Sequence, residues 1–144
     1  MYTGFKHLHS TLAYVLLGAL IFSIIYVLIA YAQKKPFTDK TRKFALIGLV
    51  SAHIQFLVGL LLYVFSPLGL KNFSGEAMKD SLARLYILEH PFTMLIAVVL
   101  ITIGYSRAKR LKTDAARYKS ILIYFGLGLI LILSRIPWVA WPKF

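Results

Sequence analysis

Four apolar runs, 8–32, 44–65, 92–104 and 120–141, are divided by polar and proline-bearing breaks and set out the plan of the chain. Three of them reach the roughly 20 residues that a membrane-spanning helix needs. The third is shorter and needs the segment before it as a lead-in. The end of the first run, Ala30-Tyr31-Ala32, imitates a leader-peptide cleavage site. That run is too long for the apolar core of a leader, and only Lys6 charges the stretch before it, so a retained helix is expected. Pro36 bars its continuation, and Ser66-Pro67-Leu68-Gly69 gives the second run a turn signal. The pattern predicts an all-α protein of one domain, an integral membrane four-helix bundle of up-down-up-down order, with helices at about 5–32, 44–66, 90–106 and 119–141.

The longest connection, 70–88, mixes Lys71, Glu76, Lys79, Asp80 and Arg84 with apolar positions. Ser74 is expected to cap a short amphipathic helix that lays Ala77, Leu82, Leu85 and Tyr86 on the membrane surface. Pro91 biases His90 away from helical dihedrals, so the third spanning helix is expected to begin or kink there.

Composition agrees with a membrane protein: 59% of the 144 residues are hydrophobic, 15% are charged, and the mean hydropathy is +0.73. The formal charge of +12 would suggest a nucleic-acid partner in a soluble protein. Here the Lys and Arg gather in two short connections, 33–43 and 105–119, the pattern of topogenic charge, so nucleic-acid binding is set aside. Both connections are expected on the cytoplasmic side and both termini outside, with Trp138 and Trp141 in the outer interfacial belt. Cysteine is absent, which excludes disulfides and thiolate-held clusters. Any redox centre must rest on His, Met or carboxylate.

Histidine therefore carries the candidate chemistry. A charged group inside the bilayer costs roughly 2.5–3.5 kcal/mol, whereas neutral imidazole is tolerated and ligates metals. His90, in Leu88-Glu89-His90-Pro91, shares a slim helical face with Thr93, Met94, Ala97, Ile101 and Gly104. Such a face has room for a flat guest or for a close neighbouring helix. His7 and His9 point about 160° apart on a helix, so only one of them can face a core, and periodicity does not choose between them. His53, about 14 Å in from the basic side, is either a second ligand or proton relay, or a hydrogen-bonded structural residue. Opposite it runs a stripe of Gly48, Ser51, Ala52, Gln55, Gly59 and Ser66, suited to close helix contact. With His53 kept from lipid on the other side, the Gly48/Ala52/Gln55/Gly59 stripe is the expected surface for a homo-oligomer or a larger membrane complex. Arg135 aligns with Tyr124, Gly128 and Leu131 and needs an anion, Glu89 or one from a cofactor, unless it reaches the outer interface.

The runs Gly4-Phe5-Lys6-His7-Leu8-His9-Ser10, Ala52-His53-Ile54-Gln55 with Gly59, and Glu89-His90-Pro91 resemble the small four-helix bacterial membrane proteins labelled cytochrome b-like. The resemblance covers nearly the whole chain. More loosely, an early His in helix one, Gln plus Gly in helix two and an early His in helix three are similar to one half of haem A synthase. Helix one lacks the synthase's Glu…His-Arg arrangement, so the synthase reaction is not implied. The resemblance implies haem b held by His9 and His90 as the axial metal ligands, with Arg135 on a propionate, in a bacterial inner (cytoplasmic) membrane. Electron transfer at the outer face is the expected function. The alternative is a cofactor-free structural or accessory subunit of a larger membrane complex. Measured from the expected basic ends, His9 lies about 31 Å up and His90 about 22 Å, a mismatch that helix tilt or uneven loops must absorb.

Overall fold

A computed structural model describes residues 1–142. Among the described residues, four helices are long and apolar enough to cross a membrane: α1 (Tyr2–Ala32), α2 (Asp39–Phe65), α3 (Ser81–Arg110) and α4 (Asp114–Ser134). α1 packs most closely on α2, and α3 on α4; contacts of α1 with α4 and of α2 with α3 close the bundle.

Local chemistry explains most of the helix ends. α1 ends in a reverse turn in which the Lys35 N–H donates to Ala30 O and the Lys34 N–H to Tyr31 O, with Lys34 at φ 53°. These two bonds satisfy carbonyls that a helix terminus otherwise leaves open. Thr38 and Thr113 cap α2 and α4, their side chains accepting from the Thr41 and Ala116 backbone N–H groups. Each threonine opens the same sequence, Thr-Asp-x-x-Arg, at 38–42 and at 113–117.

Each close helix pair has a glycine facing a serine. Ser23 Oγ lies 2.6 Å from Phe44 O, and a Cβ on Gly48 would come within 2.9 Å of that Oγ. Ser120 Oγ donates to Gly104 O at 2.9 Å, where a Cβ on Gly104 would come within 2.5 Å of Tyr124 Cβ. On the same seam a Cβ on Gly128 would come within 2.7 Å of Ile101 Cγ1. The slim face of Ala97, Ile101 and Gly104 is thus filled by α4, the close-packing alternative rather than room for a guest. The stripe on α2 is likewise spent within the chain. Gly48 meets Ser23 and Phe125, Ala52 and Gln55 are buried, and Gly59 faces His9. That placement takes the stripe away from the partner-docking role expected of it.

Three expectations about helix ends need correction. α4 stops at Ser134 instead of near 141, because Pro137 removes a donor just beyond it, and 135–141 folds back as turns. α3 starts at Ser81, capped by Asp80 Oδ1 on the Ala83 N–H, while Ser74 caps only the 3₁₀ turn Ala77–Lys79. His90 is helical, at φ −65° and ψ −56°, despite the proline after it. A π-turn over Leu85–Glu89 makes this possible: the His90 N–H donates to Leu85 O, five residues back. The wider turn makes space for the Pro91 ring, and Tyr63 Oη donates to Ile87 O at 2.8 Å, the carbonyl that Pro91 has no N–H to serve.

Candidate functional site

At the end of the bundle where α1 and α3 begin, the helices part around a cavity of about 350 Å³. His9 and His90 line it from opposite helices, with Gln55 and Gly59 from α2 and Trp141 from the terminal turns. Their ring centres are 6.2 Å apart and their planes perpendicular, at 89°. α3 keeps its helical path through Arg107, Lys109 and Arg110, so His90 stands about 30 Å from its basic end. This removes the expected depth mismatch with His9.

Each imidazole is set by its surroundings. His90 Nδ1 lies 2.7 Å from Arg135 O. A carbonyl only accepts, so Nδ1 carries the proton and Nε2 keeps a lone pair. His9 is positioned twice from α2: Gln55 Nε2 donates to His9 O at 2.9 Å, and a Cβ on Gly59 would lie 3.0 Å from His9 Cε1. Gly59 is therefore the hollow in which the ring sits. His9 Nδ1 and Gln55 Oε1 are buried without a hydrogen-bond partner. Unmet polar atoms of this kind cost about 1–3 kcal/mol each. Two of them together in a cavity wall suit a site that receives a ligand.

Below the imidazoles the cavity is apolar, with Leu16, Leu17, Met94, Val98 and Ile132. Its polar lining includes Lys6, Ser10, Tyr63 and Tyr86. Trp141 Nε1 donates to Ser10 O at 3.3 Å, and its ring lies 4.7 Å from that of Tyr14, which ties the terminal turns to α1.

The remaining candidates fall elsewhere. His7 is exposed and does not line the cavity. His53 Nδ1 lies 2.8 Å from Leu49 O, and Nε2 is 3.3 Å from Thr102 Oγ1 on α3, the arrangement of a structural histidine that joins two helices. The Arg135 side chain does not line the cavity; Nε lies 3.5 Å from Glu89 Oε2, while its backbone carbonyl holds His90. Arg84 Nε reaches the other Glu89 oxygen at 2.9 Å and its Nη1 donates to Met78 O. Residues five apart stand about 140° apart around an α-helix; in the π-turn they come into line, so the Arg84–Glu89 pair depends on that turn. Lys6 stands in the 4–10 run with no role assigned to it there, Tyr86 lines the cavity instead of the membrane surface expected of it, and no motif or break in periodicity marks Tyr63. Trp141, expected in the interfacial belt, also lines the cavity.

Two imidazoles opposed across a cavity can take one metal centre between them. With metal–nitrogen bonds of about 2 Å, ring centres on either side of a single metal ion stand about 6 Å apart, close to the separation seen. Gly59 and the unpaired His9 Nδ1 fit the same use. Among the described residues no group of three or more His, Asp and Glu side chains is placed to hold a metal ion, so a bare-ion site built on carboxylates is not offered. No protein-family model matches the chain, and no curated protein or solved structure shows significant similarity to it.

Proposed function

We propose that the chain is a membrane-embedded b-type haem protein, an up-down-up-down bundle with His9 and His90 as axial ligands, taking part in electron transfer at the non-cytoplasmic face. The observation that carries the reading is the 6.2 Å separation of two imidazoles across a largely apolar cavity. Haem bound there supplies a one-electron iron couple. The protein's own part is positioning. Arg135 O fixes the His90 tautomer, Gly59 and Gln55 seat His9, and the walls below the imidazoles are apolar. Lys6 is the cation that lines the cavity and is the residue offered to an anionic arm, in place of Arg135.

Orientation rests on the basic connections. Tyr118 Oη donates to Pro36 O at 3.1 Å, and Arg117 lies 5.8 Å from the Phe37 ring centre, so 33–38 and the start of α4 belong to one end of the bundle. By the positive-inside rule that end is cytoplasmic and the cavity opens on the opposite side.

The test is the visible spectrum of the purified chain, with His9→Ala and His90→Ala beside it. A Soret band with sharp reduced α and β bands is expected, lost in either variant and kept in His7→Ala and His53→Ala. A folded, colourless protein after haem supplementation overturns the reading and leaves the accessory-subunit alternative.

A further inference from the structure

The basic end holds a second recess, of about 130 Å³, where α2, α3 and α4 meet. Its charged lining is Arg42, Lys109 and Arg117 against one carboxylate, Asp39. We propose that this recess binds a phosphate group, carried by an anionic phospholipid headgroup or free in solution.

Three observations carry the proposal. The cations come from three different helices, so their meeting is a product of the fold and not of a charge run in the sequence. Each is already held in place. Arg117 Nε donates to Leu111 O at 2.7 Å and its guanidinium lies 5.8 Å from the Phe37 ring centre. Arg42 Nη2 lies 3.2 Å from Asp39 Oδ1, and Lys109 Nζ is 5.3 Å from the Tyr105 ring centre. Cations fixed in this way lose little freedom on binding an anion. The third observation is the repeated Thr-Asp-x-x-Arg, which puts Arg42 and Arg117 at the same step after a threonine cap in two different helices. Both copies deliver their arginine to this one recess.

Two guanidiniums and an ammonium suit a tetrahedral oxyanion, which accepts forked hydrogen bonds on several edges at once. The recess lies at the ends of helices long and apolar enough to cross a membrane, the level at which basic pockets between helices meet lipid headgroups. Asp39 offsets part of the charge, and Thr38 adds a hydroxyl to the same lining. The proposal is independent of haem.

The full chain in neutral detergent is to be melted with short-chain phosphatidylglycerol, with phosphatidylcholine of the same chain length, and with inorganic phosphate against chloride at equal ionic strength. A ligand that binds only the folded state raises the melting temperature by mass action. Stabilisation by phosphatidylglycerol alone assigns a lipid headgroup, and stabilisation by inorganic phosphate as well assigns the phosphate group itself. In Arg42→Gln/Lys109→Gln/Arg117→Gln the apparent affinity is expected to fall about tenfold or more. Lys34→Gln/Lys40→Gln/Lys112→Gln removes the same charge outside the recess and is expected to keep it. Arg42→Gln/Lys109→Gln, which spares the Arg117–Leu111 bond, serves if the triple variant does not fold. No stabilisation by either phosphate source, or equal loss in the two charge-removal sets, overturns the proposal.

Discussion

The two ends of the bundle use the same four helices to opposite effect. In the basic half, glycine meets serine or an aromatic ring, and the fully buried side chains gather there: Tyr118, Phe125, Ile101, Ile121 and Val27. In the histidine half only Ile87 reaches that class among the large residues, and the space between helices is left to the cavity. One half is closed by backbone approach, the other held open by imidazole, tyrosine and a widened turn. Stability and site are thus carried by different residues of the same helices and can be disturbed separately.

The largest expected effect is on the closed half. Gly104→Ala places a Cβ 2.5 Å from Tyr124 Cβ and 3.1 Å from Ser120 O. Overpacking of this sort costs about 1–3 kcal/mol, to be read by denaturant or thermal unfolding in detergent, while any haem spectrum keeps its shape. A change of spectrum without loss of stability would break the division between the halves. Tyr63→Phe comes next. It leaves Ile87 O, already without the Pro91 N–H, unserved in a buried place, at about 1–3 kcal/mol, and it should raise amide exchange locally around the π-turn.

Gly59→Ala is expected to separate the two properties most cleanly. Its nearest neighbour is the His9 ring at 3.0 Å, which can give way, and alanine favours the helix by about 0.5–1 kcal/mol. Net stability should move by less than about 1 kcal/mol, while the haem absorption shifts or is lost. Glu89→Gln breaks pairs that are about one-third to one-half exposed, so less than about 1 kcal/mol is expected, and the difference should shrink with added salt. The smallest expected effect has the reverse sign: a Cβ on Gly126 meets nothing within 4 Å, so Gly126→Ala should raise stability by about 0.5–1 kcal/mol.

Much of the fold was legible because run length and breaks carry it. Pro36 and the Ser66-Pro67 break mark ends of α1 and α2 to within a few residues. A proline rule applied locally misplaces the start of α3, because the relief comes from Tyr63, which serves the Ile87 carbonyl 24 positions further on. His90 was found from its own neighbours, Glu89 and Pro91, whereas the slim face below it gave an ambiguous signal that resolved to helix packing. Periodicity leaves His7 and His9 open and the resemblance alone points to His9; the contact of Gly59 with the His9 ring is a distance between helices and not a spacing in the sequence. The repeat at 38–42 and 113–117 was open to inspection but is short, and only the recess gives its arginines a common purpose.

The π-turn at Leu85–Glu89 also has a meaning for comparison among relatives. It amounts to one residue of insertion in an otherwise regular helix. A homologue with that residue deleted would wind as α throughout. Residues on either side of the turn would keep close to their present faces, because the widened turn is what absorbs the extra residue. Its counterpart of His90 would still face the cavity, and the counterparts of Arg84 and Glu89, now four apart on an α-helix, would still share a face. A single-residue gap in this segment of an alignment would therefore mark relatives that can keep an ion pair of the Arg84–Glu89 kind without the widened turn.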